Sequence, residues 1–193
     1  MIEWCSRFWA NFKSINSKSF SDVKCKTEIK WHPPDTNCLK VNVDAGLSKE
    51  KGRWGCAAVA RDSFGQFRGF RSLLLDRPVE PFVAELIAIR VGMNLGLELG
   101  PASFSVESDS LNAVQAISSP TEGYRDWDGL TQSLLALMAS PRFLGCSFVR
   151  REANNLAHFL AKLTLEMGDS VEGNMALPLA ARSVLQRDLP FHP

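Results

Sequence analysis

Three acidic residues interrupt or end apolar segments of the chain. Asp44 lies in Leu39-Lys40-Val41-Asn42-Val43-Asp44-Ala45-Gly46, Glu85 in Ala84-Glu85-Leu86-Ile87, and Asp109 in Val106-Glu107-Ser108-Asp109-Ser110. A carboxylate near the middle of a sheet is costly to bury unless a cation or donor meets it. Three of them together repel one another, and a hard cation such as Mg²⁺ or Mn²⁺ relieves that with oxygen ligands while keeping waters for chemistry. The reaction this suits is phosphodiester hydrolysis, in which two ions about 4 Å apart activate water and steady the leaving oxygen. It needs no serine or histidine nucleophile. Singly, each residue also has a plainer reading: a turn residue at Asp44, a helix-dipole partner at Glu85, a helix cap at Asp109.

These positions depend on the elements around them. Alternation over 39–46 predicts a strand carrying Asp44 at its end, and the apolar run 54–61 predicts a second. Asp62-Ser63-Phe64-Gly65 reads as a turn into a third strand over 66–75, so the three make an antiparallel meander. From Phe82 to Leu99 a helical pattern runs to Gly100-Pro101 and places Glu85 in its first turn. Gly92 and Gly96, four apart, predict a close approach to a sheet or neighbouring helix. A strand over 103–107 ends at Asp109, and a short helix over 110–117 takes Asp109 or Ser110 as its cap. Trp127 to Met138 reads as a helix, 143–149 as a strand and 153–167 as the last helix. The order is β-β-β-α-β-α-α-β-α.

With 193 residues, 45% of them hydrophobic, the chain can bury one substantial core. Trp31-His32-Pro33-Pro34 forces extended backbone and sets a boundary near residue 31. Residues 1–30, with six Lys/Arg against three Asp/Glu, form a basic arm; the remainder carries sixteen against eighteen. The arm could touch phosphates, although a solvated leader is the plainer reading. The domain then occupies 31–167, and 168–193 is expected to be a poorly packed tail. Cys5, Cys25, Cys38, Cys56 and Cys146 are odd in number and lack C-x-x-C spacing, against a zinc site or disulfide scaffold and for an intracellular, reducing compartment. No apolar run approaches the roughly 20 residues that span a bilayer. A soluble monomer is the expectation.

Four blocks now carry a resemblance: Val41-Asn42-Val43-Asp44, Ala84-Glu85-Leu86-Ile87-Ala88-Ile89, Val106-Glu107-Ser108-Asp109-Ser110, and Arg151-Glu152-Ala153-Asn154-Asn155-Leu156-Ala157-His158-Phe159-Leu160-Ala161. In this order and spacing they resemble the signature of type 1 ribonuclease H. With Trp31-His32-Pro33-Pro34 and the Val59-Ala60-Arg61-Asp62 hairpin, the chain is most similar to RNase H-like domains derived from plant non-LTR retroelements. The resemblance implies an α/β fold, a five-stranded mixed sheet in the order 3-2-1-4-5 flanked by helices. It implies metal-dependent cleavage of the RNA strand of an RNA–DNA hybrid, with Asp44, Glu85 and Asp109 holding two ions, Mg²⁺ or Mn²⁺, and Asp44 bridging them. Contact with nucleic acid is implied for Ala45, Gly46, Ser108, Arg150, Arg151 and Asn154, with the hybrid read through its minor groove and 2′-hydroxyls.

Two departures from that pattern bear on activity. Four residues after Asn154, where an aspartate is usual, stands His158, an imidazole in place of an anionic oxygen at a catalytic position. Related plant proteins often share this Ala-His pair, and a neutral imidazole could hold a water or favour Mn²⁺. Asp44 is followed by Ala45-Gly46 where relatives read Asp-Gly-Ala or Asp-Gly-Ser, so Ala45 could obstruct an approaching backbone. The loop histidine before the last helix is missing, with Arg150 and Arg151 in its neighbourhood, and no basic protrusion is present between Tyr124 and Met138. The competing reading is a non-catalytic nucleic-acid-binding or interaction module derived from a retroelement. A transposase or exonuclease of the same superfold is a more distant one.

Overall fold

The computed structural model describes residues 29–118, 129–171 and 176–188. The expected basic arm therefore lies outside the described residues except for Ile29 and Lys30, as does the start of the expected 127–138 helix. Strand β1 runs Cys38–Ser48, β2 Arg53–Arg61 and β3 Phe67–Leu75. They form the antiparallel meander that the alternation predicts. The β2–β3 turn is built by Asp62, whose Oδ1 accepts the backbone N–H groups of Phe64 (2.9 Å) and Gln66 (3.0 Å). Gly65 supplies the positive φ of 74° that closes it.

Helix α1, Pro81–Glu98, starts on a proline, whose missing N–H costs nothing at a first helical position. Strand β4, Ser103–Ser108, returns parallel to β1; helices α2, Leu111–Ser118, and α3, Leu130–Met138, follow. Strand β5, Phe143–Phe148, pairs parallel to β4, and a 3₁₀ turn at Arg151–Ala153 leads into α4, Asn155–Met167. The sheet order is β3-β2-β1-β4-β5, the 3-2-1-4-5 order of the resemblance.

Period-two alternation sorts the strands between two cores. Val41, Val43 and Ala45 of β1, with Cys56, Ala58 and Ala60 of β2, face α1, α2 and α3. Ala57 and Val59 face Leu156, Ala157, Leu160 and Ala161 of α4. On β1 the positions between the core residues are Asn42 and Asp44, both fully buried. The glycine pair works as expected: a Cβ on Gly92 would come within 2.4 Å of Val43 Cγ1, and one on Gly96 within 2.4 Å of the Phe104 ring. Small residues thus let α1 lie directly on β1 and β4.

The expectation of a poorly packed tail over 168–193 is corrected for the described residues, 168–171 and 176–188. Val171 forms a bridge with Ser72 on the β3 edge. Helix α5, Leu179–Asp188, packs on α4, with Leu177, Ala181 and Val184 buried in the second core. Among the described residues the segment's anchors, Val171, Leu177, Ala181, Val184 and Leu185, are spread over a loop and a short helix and so do not show as a period.

Candidate active site

Asp44 does not end its strand, as the sequence suggested, but lies inside β1, paired with Ala57 on one side. On the other side β4 stops at Ser108, opposite Val43, so the next residues of both strands face a gap at the sheet's end. Asp44 and Asp109 border that gap, and ligands of mixed α/β sheets gather at such places. Glu85 is the fifth residue of α1 rather than part of its first turn.

The loop after β5 and the start of α4 close the site. One Nη of Arg151 donates to Asp44 Oδ1 at 3.0 Å and to Asp109 Oδ2. The other lies 3.3 Å from His158 Nε2, while His158 Nδ1 lies 2.8 Å from Asp44 Oδ2. One neutral tautomer satisfies both: Nδ1–H donates to the carboxylate and Nε2 accepts from the guanidinium. Asn154 Nδ2 donates to Val43 O and to Asp109 Oδ1, both at 2.9 Å, which fixes Asp109 against the β1 backbone.

Crowding shows in the electrostatics. Burial, then the charge of Asp109, raises the Asp44 pKa to about 6 against the His158 hydrogen bond and Arg151. Burial, then Asp44 and Asp109, raises Glu85 to about 8, opposed by Arg151. Its Oε2 is buried with no hydrogen-bond partner. Among the described residues no three acidic, histidine or cysteine side chains are already gathered around one point as a metal cluster. The donor set nonetheless fits a hard divalent cation: carboxylate oxygens alone, one of them orphaned, sharing too much negative charge.

Of the residues for which nucleic-acid contact was expected, Arg151 and Asn154 join the carboxylates and Arg150 is exposed beside them. The other three are packed within the fold. Ala45 is buried in the main core, and a side chain at Gly46 would meet Ala161 and Leu165 of α4. Ser108 is fully buried and its Oγ accepts the Ser110 N–H at 3.1 Å, so it serves the turn at Asp109.

Beneath the site lies a polar network that the sequence reading missed. Asn42 Nδ2 donates to Asn154 Oδ1 (3.2 Å) and Glu107 Oε2 (3.0 Å), and Asn42 Oδ1 accepts from Arg61 (2.8 Å). Arg61 pairs with Asp188 of α5 at 3.0 Å and stacks under Trp31, 3.7 Å from the ring centroid. Lys40 pairs with Glu107 at 2.9 Å. Asn42 was visible as a polar residue one step from Asp44 on the same strand face; Asp188 carried no signal.

Fold and site together define an RNase H-like domain. The profile of the reverse transcriptase-like family matches residues 42–164, and the chain belongs to that family. Solved structures with the same fold include the N-terminal RNase H domain of Rv2228c from Mycobacterium tuberculosis, at 22% identity and TM-score 0.60, covering 67% of this chain and 94% of that one. RNase H1 of the archaeon Halobacterium salinarum aligns at 15% identity and TM-score 0.60, covering 67% and 98%. LC11-RNase H1, isolated from compost by a metagenomic approach and solved in complex with an RNA/DNA hybrid, aligns at 16% identity and TM-score 0.58, covering 67% and 98%. No curated protein matches the chain. No helix among the described residues is long and apolar enough to cross a membrane.

Proposed function

We propose that this protein hydrolyses the RNA strand of RNA–DNA hybrids, with Asp44, Glu85 and Asp109 holding two divalent ions, Mg²⁺ or Mn²⁺. The observation that carries this reading is the convergence of Asp44 Oδ1 and Asp109 Oδ2 on one cationic group, the Arg151 guanidinium, with the orphaned Glu85 facing the same charges. When bound, such ions supply an activated water and neutralise charge on the phosphate and leaving oxygen.

The chain's own residues prepare the place. Asn154 locks Asp109 to the β1 backbone, and His158 holds the second oxygen of Asp44, so neither carboxylate is free to rotate. Held carboxylates favour a cation because no ordering remains to be done on binding. A groove of about 540 Å³ beside His158, bordered by Phe159, Lys162, Arg187, Glu152 and Asp188, offers a partly apolar path of mixed charge in which Lys162 and Arg187 can meet a sugar–phosphate backbone. The hybrid would be sensed by shape and 2′-hydroxyls, so sequence preference should be low. Trp31-His32-Pro33-Pro34 and the Val59 to Gly65 hairpin support an origin in the plant non-LTR retroelement group.

Strand selectivity tests the reading. End-labelled RNA–DNA hybrid, duplex DNA and single-stranded RNA are offered side by side with Mg²⁺ or Mn²⁺; cleavage confined to the RNA of the hybrid supports it. Equal cutting of single-stranded RNA, or none of any substrate, contradicts it.

A further inference from the structure

Arg151 stands where a cation belongs. Its Nη bridges oxygens of Asp44 and Asp109, and its other Nη touches His158. All three partners are residues of the candidate site. Yet Arg151 differs from them in its freedom: Asp44 is fully buried and Asp109 is 10% exposed at the side chain, whereas the Arg151 side chain is 50% exposed. It projects from the 3₁₀ turn ahead of α4, not from the sheet or the body of a helix. The carboxylates are fixed by Asn154 and His158; among the described residues nothing of the kind fixes the guanidinium from its outer side.

A guanidinium neutralises one charge, and it leaves Glu85 Oε2 without a partner. A divalent ion carries twice the charge in a smaller radius and takes six or more oxygens, so it can satisfy carboxylates that a planar fork cannot. Both cannot occupy the space between Asp44 Oδ1 and Asp109 Oδ2. We propose that Arg151 is a resident cation that keeps the carboxylates together without metal and must swing out before a divalent ion binds. Arg151 thereby sets the metal affinity of the site. The proposal rests on the reading of Asp44, Glu85 and Asp109 as metal ligands.

Calorimetric titration with MnCl₂ and thermal melts, with and without Mn²⁺, test it on the full chain as wild type, Arg151→Gln and Asp109→Asn. Removing the competitor should tighten Mn²⁺ binding by about tenfold, lower the melting temperature without metal, and enlarge the rise that Mn²⁺ produces. An arginine that is merely structural would lower the melting temperature alike with and without Mn²⁺. Equal Mn²⁺ affinity in wild type and Arg151→Gln, abolished in Asp109→Asn, overturns the proposal and leaves the ligand assignment standing. Absence of Mn²⁺ binding sensitive to Asp109→Asn in either protein overturns both.

Discussion

Arg61 on β2 and Asp188 on α5 form an ion pair at 3.0 Å, with side-chain exposures of 0% and 8%. Burial pulls the Arg61 pKa down to about 10, against the attraction of Asp188, and pushes that of Asp188 up against Arg61. Both shifts favour the neutral forms, so desolvation outweighs attraction for each partner. Such a pair adds little net stability but is expensive to break, since one partner then stays buried and charged. Through Arg61, Asn42 and Asn154, the helix beyond the family match reaches Asp109.

Asp188→Ala should therefore destabilise the fold by about 3–5 kcal/mol. Replacing both partners with apolar residues, Arg61→Met with Asp188→Leu, should recover most of that loss. Urea unfolding of the three proteins decides the point; a single substitution costing no more than a surface change would show that the pair is not buried in solution.

Gly92→Ala should cost about 1–3 kcal/mol, because its methyl would come within 2.4 Å of Val43 Cγ1 and α1 would have to lift from β1. Since α1 also carries Glu85, metal affinity should weaken alongside the melting temperature. Unchanged stability would mean that helix and strand lie farther apart.

Stability without metal should fall as pH rises from about 4.5 to about 8. Glu85 has its folded pKa raised to about 8, above the 4.5 of an ordinary glutamate, so the folded state holds a proton that the unfolded chain releases. For an acid raised in this way, stability is fully present below the unfolded pKa, declines through the interval and reaches its floor above the folded pKa. The slope for one group is at most about 1.4 kcal/mol per pH unit. Melting curves in EDTA should drop over this window, and Mn²⁺ should restore more at pH 8.5 than at pH 6. A flat profile in EDTA would argue that Glu85 ionises freely.

His158→Asp should raise Mg²⁺-dependent cleavage by roughly ten- to hundredfold if the missing fourth oxygen limits the site. It should also lower stability without metal, since His158 Nδ1–H now steadies Asp44 and a fourth carboxylate would repel it. Initial rates on a labelled hybrid report the first effect and melts in EDTA the second. A rate unchanged by the substitution would show that the imidazole is no handicap.

Much of this was legible in the sequence because it depends on local pattern. The alternation in 39–46 and the apolar run 54–61 reflect strands of a covered sheet, and the Gly92–Gly96 spacing reflects a helix pressed onto it. The three carboxylates were found because each interrupts an apolar segment, and their meeting follows from strand order. Arg151 was read as a phosphate contact because its place between Asp44 and Asp109 depends on the fold of a three-residue turn. The burial of Ala45 in the main core follows from the alternation of β1, which turns it to the face opposite Asp44. Asp188 was out of reach: its partner lies 127 residues earlier, and one aspartate in a charged helix announces nothing.

The most direct measurement is cleavage of a labelled RNA–DNA hybrid by the wild-type chain beside Asp109→Asn, each with Mg²⁺ and with Mn²⁺. Wild type should cut the RNA strand, and the variant, folded by its melting curve, should lose more than about a hundredfold in rate, a larger loss than disturbing a ligand's outer partner brings. Equal signals from the two proteins, or hybrid binding without any cleavage, would contradict it and leave a non-catalytic nucleic-acid-binding module.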